Sequence, residues 1–502
     1  MKPDVLRGPT CLLLSSLLLL MACGGDPEAG PLPTDEPLGA QESALCATSS
    51  VTTLSTYGVD QYQGIMSGNG EWVVDWPANS VRMEYFVDGV LRSSEERPYP
   101  SGMWFFSASG IACGSHTFVA RAIPMIIDSL GNRTTCWDSS QSLTLTVTEP
   151  CAAVSMSASA YHSVALASDG TVWAWGSNLF GAIGDGTTTD RAAPVKVPGI
   201  GDVTAVDVGY YHTVALKEDG TVWTWGYNSE GQLGDGTTTN HHTPAPVPGL
   251  TNVIAVAAGG SFSLAVKQDG TVWAWGDNWT GPLGDGTTTR RLSPVQVVGL
   301  SGVKAVAAGT NHSVALKQDG TVWAWGRNMG GGLGDGTTTV RTTPVRSGTL
   351  TGVVAIGAAY WHTMAVKQDG TLWVWGDNRF GQVGDGTTTD RYSPVQVPGL
   401  SNITAVDGGY GYCAALKQDG TVWTWGYNNH GQLGDGTTTS RYSPAKVSSI
   451  SGATAVVAGQ SHTGVVKQGG SAWAWGYGSG NYLGNGTSGQ SFSAVRVLNL
   501  GP

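Results

Sequence analysis

Basic residues are scarce in this chain: 26 Lys and Arg stand against 37 Asp and Glu in 502 residues, a formal net charge of −11. A nucleic-acid partner would need a basic stripe or run, and there is none, so nucleic acid is excluded. Charge of either sign is sparse, at 13% of residues. The apolar run Cys11–Ala22 is well short of the roughly 20 residues that a membrane-spanning helix requires. Only seven Cys and nine His are present, and none is spaced as a metal-binding set. No Ser/His/Asp set or nucleotide-binding loop stands out. The chain is therefore read as a non-enzyme without cofactor or metal.

Glycine (74 residues) and tryptophan (20) are plentiful, and their placement is regular. The signature W-x-W-G recurs at Trp173–Gly176, Trp223–Gly226, Trp273–Gly276, Trp323–Gly326, Trp373–Gly376, Trp423–Gly426 and Trp473–Gly476, with a constant 50-residue period. Such a period belongs to a solenoid, an array or a propeller. The second copy reads as four strands: Val203–Val208, His212–Lys217, Thr221–Gly226 and a short one near Pro244–Val247. The second and third strands are joined by an Asp-Gly turn, the third and fourth by a long loop from Tyr227 to His242. Four antiparallel strands in one copy make a propeller blade. The first strand carries small residues, as in Val253–Gly259, which suits strands converging on an axis. Trp223 and Trp225 share one face of the third strand, because side chains alternate. Repeated in each copy, these indoles can fill the wedge between blades.

The long pattern G-x-x-H-[ST]-x-A-[LV]-K-x-D-G-T-V-W-x-W-G-x-N-x-x-G-x-L-G-[DN]-G-T closely resembles the repeat of the regulator of chromosome condensation family, and it covers residues 154–498. The resemblance implies an all-β, seven-bladed β-propeller. It leaves ring closure open. If copies and blades coincide, the ends meet by packing alone; if they are offset, Val154–Ser159 completes the blade built from the last copy. The family includes guanine nucleotide exchange factors for a nuclear GTPase and, among bacterial secreted members, β-lactamase inhibitors.

The N-terminal third has a different organisation. Residues 1–23 read as a signal peptide, with Lys2 and Arg7 ahead of the apolar run. Leu20-Met21-Ala22-Cys23 resembles the lipobox of bacterial lipoproteins, which implies lipidation of Cys23 and membrane attachment through the lipid only. Gly24 after the cysteine implies the outer membrane or cell surface. Residues 24–45 read as a flexible Pro-, Gly- and acid-rich tether. Residues 46–150 alternate apolar and polar, and Asp88-Gly89 signals a hairpin. Five to seven short strands are expected there, as a small β-sandwich. Residues 80–147 resemble bacterial immunoglobulin-like domains, which serve as spacers or adhesive modules. Cys46, Cys113, Cys136 and Cys151 are candidates for two disulfides, with Cys113–Cys136 and Cys46–Cys151 preferred among three pairings. Cys413 stands where other copies have Ser or Thr and is expected to be buried and unpaired. Residues 151–502 form the propeller domain.

The recurrent polar residues read as structural. His162, His212, His312, His362 and His462 form a partial ring, with Phe262 and Tyr412 at the other two places, which suits hydrogen bonding better than metal ligation. Asp185 and its equivalents in GDGTTT suit turn chemistry better than calcium, because each loop offers one carboxylate. The Lys-Gln-Asp-Gly segments are hairpin turns.

Comparison between copies is more telling. With strands running up, down, up, down, the first turn and the long loop share one face, and that face varies most. It gathers Tyr161, Phe180, Tyr210, Tyr211, Trp279, Tyr360, Trp361, Arg379, Phe380 and Tyr410. Aromatics and Arg dominate binding energy at interfaces, whereas drift at loop positions would leave small polar residues. These observations imply an exported, monomeric surface lipoprotein whose propeller is a scaffold for an unidentified protein partner. Inhibition of a secreted enzyme is the alternative. A structural surface protein, an exchange factor and a lyase or hydrolase follow behind.

Overall fold

The computed structural model describes residues 50–62, 65–75, 78–109, 114–149 and 153–500. The signal segment, the tether, Cys23, Cys46, Cys113 and Cys151 lie outside the described residues. Cys136 is buried and disulfide-bonded to a residue outside that set.

Among the described residues the N-terminal region holds eight strands, where five to seven are expected: β1 (Val51–Tyr62), β2 (Ile65–Val74), β3 (Ser80–Val87), β4 (Val90–Arg97), β5 (Ser101–Ser109), β6 (Gly114–Ile127), β7 (Arg133–Thr135) and β8 (Gln141–Glu149). They form a sheet ordered β1-β2-β5 and a second ordered β4-β3-β6-β7, with β8 also on β6. Both sheets contribute to one core around Trp72, Met83, Tyr85, Trp104 and Phe118. Several strands are longer than the sequence suggests, because glycines continue them instead of ending them. A Cβ on Gly70 would lie 1.9 Å from the Ser55 carbonyl and 2.6 Å from the Trp104 indole, so only glycine lets that ring lie against β2. Asp88 and Gly89 both have positive φ and turn β3 into β4, as the hairpin signal predicts.

Each 50-residue copy folds as one four-stranded antiparallel sheet, and seven such sheets follow one another. In the second copy the strands are Val203–Val208, His212–Lys217, Val222–Gly226 and His241–Pro246, so the fourth begins three residues before the expected position. The first strand of every blade packs on that of the next, and Ala453–Ala458 of the last blade packs on Ala153–Ala158 of the first. Copies and blades therefore coincide, and the ring closes by packing without strand exchange. Trp175 Nε1 donates to the Tyr482 carbonyl (2.9 Å) across the closing seam, and Gln460 N donates to Ser159 O (3.1 Å).

The indole pairs occupy the wedges between blades, with a division of labour. The second Trp of each signature, such as Trp325, is fully buried. The first is half-buried, and its Nε1 donates to the Thr or Ser two residues before it, as Trp323 does to Thr321 (3.2 Å). In six blades a Lys ammonium lies over this outer ring, at 5.4 Å for Lys467 over Trp473. Trp325→Ala is expected to cost about 3–5 kcal/mol of unfolding free energy in urea titration. Trp323→Ala should cost clearly less, and equal losses would contradict the packing difference.

Candidate functional site on the loop face

The loop face rests on a repeated seam. In the second blade, Trp225 Nε1 (2.9 Å) and Thr213 Oγ1 (3.0 Å) both donate to the Ala182 carbonyl, in the long loop of the preceding blade. The Thr213 hydroxyl proton is thereby committed, so the His162 Nε2 that meets the same hydroxyl at 2.9 Å must be the donor there. His212 with Ser263, His312 with Thr363, and His462 with Ser163 repeat the contact. His362 meets Cys413 Sγ at 3.1 Å, and this free, buried thiol donates in turn to the Gln382 carbonyl. The histidines thus hold blade to blade, as the structural reading of the sequence has it.

Six of the seven long loops are also clasped from within by an Asn and an Asp. Asn178 Oδ1 accepts from Ile183 N, and its Nδ2 donates to Thr187 O. Asp185 Oδ1 accepts the Thr187 N–H and hydroxyl, and its Oδ2 accepts from Arg191 Nε at 2.7 Å. Burial opposes ionisation of Asp185, but these donors win and its carboxyl sits below its ordinary value. GDGTTT is therefore a loop clasp whose carboxylate is already engaged by its own chain.

On this frame, nine of the ten residues singled out from the sequence form one connected set. Tyr161 and Tyr211 stack at 4.3 Å with planes 6° apart, and Phe180 meets Tyr211 edge-on at 5.1 Å. Tyr161 touches Tyr210, which reaches Tyr360 at 5.8 Å. Tyr360 packs on Trp361 and Tyr410, and Phe380 packs on Tyr410. The Arg379 guanidinium lies 4.9 Å from the Trp361 ring centre while its Nε donates to Asp377 (2.8 Å). Trp279 stands apart and is 84% exposed. Burial holds the Tyr210, Tyr211 and Tyr360 hydroxyls above their ordinary value, so they stay neutral donors.

The sequence reading missed Tyr227, Tyr427, Tyr477 and Tyr482, which together with His430 extend the set: Phe180–Tyr227 is 4.5 Å and Phe380–Tyr427 is 4.7 Å. The signal was available, since Tyr follows W-x-W-G in three copies. Also missed were two carboxyl groups in the axial channel. This cavity of about 210 Å³ is walled by the first strands and first turns of the blades, and Asp207 and Asp407 line it beneath Tyr210 and Tyr360.

The family profile described as the RCC1-like domain matches residues 199–500, which is more than half of the chain, and two profiles of the regulator of chromosome condensation (RCC1) repeat match residues 169–216 and 153–182. The chain belongs to the RCC1-like family. Among solved structures, human WBSCR16 is similar with 23% identity and a TM-score of 0.60, over 65% of this chain and 94% of that one. Prp20p of Saccharomyces cerevisiae, described with its binding to Gsp1p and histones, gives 25% identity and a TM-score of 0.59, over 66% and 87%. Yeast RCC1 (Prp20) bound to Kap60 gives 24% and 0.60, over 66% and 84%. Comparison with curated protein sequences returns no match.

The buried groups of this RCC1-like ring predict its pH response. Burial pushes His162, His212 and His362 down to about 3, and His312 and His462 to about 4. An unfolded His protonates near pH 6.5, so this stability is complete above about 6.5 and is lost as pH falls. Burial pushes Asp407 up to about 7, against the N–H donors of Ala458 and Gly408, with the Asp207 charge adding to the rise. Its contribution has the opposite sign: complete below about pH 4 and lost as pH rises through about 7. Five imidazoles outweigh two carboxyls. The melting temperature should fall from about pH 7 to about pH 4.5, more steeply in an Asp207→Asn/Asp407→Asn variant; a flat profile in a pH-scanned thermal melt would contradict this.

Proposed function

We propose that this chain is an exported, monomeric lipoprotein whose propeller binds a protein partner through the loop face. One observation carries the reading: the aromatic side chains that differ from copy to copy converge into a connected set on one face, while the Asp-Gly turns opposite hardly vary. A packed set of rings with few rotatable bonds offers large contact area at low entropic cost. Trp279 adds a projecting anchor and Arg379, held on Trp361, a fixed cation. Relatives of the same fold support the class of partner, since Prp20p is described with Gsp1p and histones and with Kap60. With net charge −11, a protein surface is the fitting target rather than nucleic acid.

In this reading Cys23 carries the lipid, residues 24–45 are the tether, and residues 46–150 are an immunoglobulin-like spacer that holds the propeller away from an outer membrane or cell surface. The domain acts by binding and has no catalytic role. Inhibition of a secreted enzyme, as in the β-lactamase-inhibiting members of the family, is the second reading and would use the same face. Nucleotide exchange fits poorly, because the copies carry no long insertion to act as a wedge and an exported chain would not meet a cytoplasmic GTPase.

The test is a pull-down with residues 46–502 as bait against extracellular and envelope fractions. A partner should be retained by the wild type and lost from a Tyr211/Trp279/Trp361→Ala variant whose circular dichroism is unchanged. Trp279→Ala alone should weaken binding at least tenfold, because its exposed ring supports no core. Retention of the partner by the triple variant would move the interface to another face.

A further inference from the structure

Asp207 and Asp407 are not required by the blade. They occupy the same place on the first strand, where the other five copies carry Ser157, Ala257, Ala307, Gly357 and Val457. They belong to the second and sixth blades, which face each other across the axis of a seven-bladed ring. Two carboxyl groups so enclosed are costly unless something offsets their charge. No Lys, Arg or His lines the channel.

The carboxyl groups are held in place from behind. Asp207 Oδ1 accepts from Ser157 Oγ (2.6 Å) and Val208 N (2.9 Å), and its Oδ2 accepts from Ala258 N (2.8 Å). Asp407 accepts from Gly408 N and Ala458 N, both at 2.8 Å. Each carboxylate oxygen has about two lone-pair sites, so both oxygens of Asp407 and Oδ2 of Asp207 keep acceptor capacity. The rest of the wall mixes small aliphatic side chains, Val306, Ile356 and Ala308 among them, with Ser157, Thr310, Gln460 and backbone polar groups, and polar atoms make up the larger share of its exposed surface. At the loop-face end, the Tyr210 and Tyr360 rings meet across the axis, and Tyr210 Oη is tied to Thr310 Oγ1 at 3.1 Å.

We propose that this axial channel is a binding site for an alkylammonium group, its charge taken up by Asp207 and Asp407 and its stem by the aliphatic members of the wall, below the Tyr210 and Tyr360 rings. Aromatic rings combined with carboxylates are the chemistry that recognises organic cations. A divalent metal fits less well, since no group of three or more His, Cys, Asp or Glu is assembled among the described residues. The ammonium group comes from one of two sources, a free amine or a lysine side chain presented by a protein. The site does not rest on the protein-binding reading, because a free amine would occupy it without a partner.

Isothermal titration of the full chain with n-butylammonium chloride tests the site, with 1-butanol as the neutral isostere. The expected result is saturable binding of the cation at least tenfold tighter than the alcohol. Asp207→Asn and Asp407→Asn should each weaken it at least tenfold, Trp279→Ala should not, and affinity should rise as pH passes from about 6 to about 8, as expected for a carboxylate site. Nα-acetyl-lysine amide distinguishes the sources: binding with the same Asp dependence identifies a protein-borne lysine, and binding of butylammonium alone identifies a free amine. Equal affinity for cation and alcohol, no saturable binding, or wild-type affinity in both folded Asn variants would overturn the proposal. The cation–alcohol comparison decides it on the wild type even if a variant fails to fold.

Discussion

One backbone carbonyl per seam organises the propeller. At six of the seams it accepts an indole N–H and a hydroxyl or thiol from the next blade, and at the closing seam the Trp175 indole alone takes the place. Both donors are buried, and a buried donor left unpaired is expensive. The interaction therefore fixes more than the wedge between sheets. It pins each long loop two residues after its variable pair, as Ala182 follows Leu179-Phe180. The tip can change its side chains while the loop's path stays the same.

The seam also shows which of its parts are dispensable. Phe262 takes the place of a His, and Ser313 opposite it still donates to the Pro282 carbonyl. Tyr412 takes another, and its hydroxyl reaches across to the carbonyls of His462 and Gly459. Cys413 replaces a hydroxyl and keeps both of its contacts. Shape and the indole contact are constant, while the imidazole is one of several solutions. A ring built this way tolerates local exchange, and the loop face draws on that tolerance to gather rings from blades far apart in sequence, as Tyr210 meets Tyr360.

Much of this was legible in the residues because the repeat turns sequence into geometry. The period gives the blade, alternation places Trp223 and Trp225 on one face, and strand direction puts Tyr211 and Phe180 on the same side. Ring closure was not legible, because packing of Ala153–Ala158 on Ala453–Ala458 leaves no mark in either segment. Asp207 and Asp407 escaped for a different reason. They sit in strands read for small apolar character, and only a position-by-position comparison with Ser157, Ala257, Ala307, Gly357 and Val457 exposes them. The longer strands of the N-terminal region escaped because glycine ordinarily weakens a strand, whereas Gly70 is there to admit Trp104.

In the proposed function the turns that hardly vary between copies are scaffold and the varied loops are the recognising surface. The most direct test places a photo-cross-linking amino acid at Trp279 on the loop face and, separately, at the exposed Glu218 in an Asp-Gly turn on the other face, and exposes each protein to envelope and extracellular fractions. A discrete cross-linked species from position 279 and none from position 218 is the predicted result. The same species from position 218, with none from 279, would contradict the account.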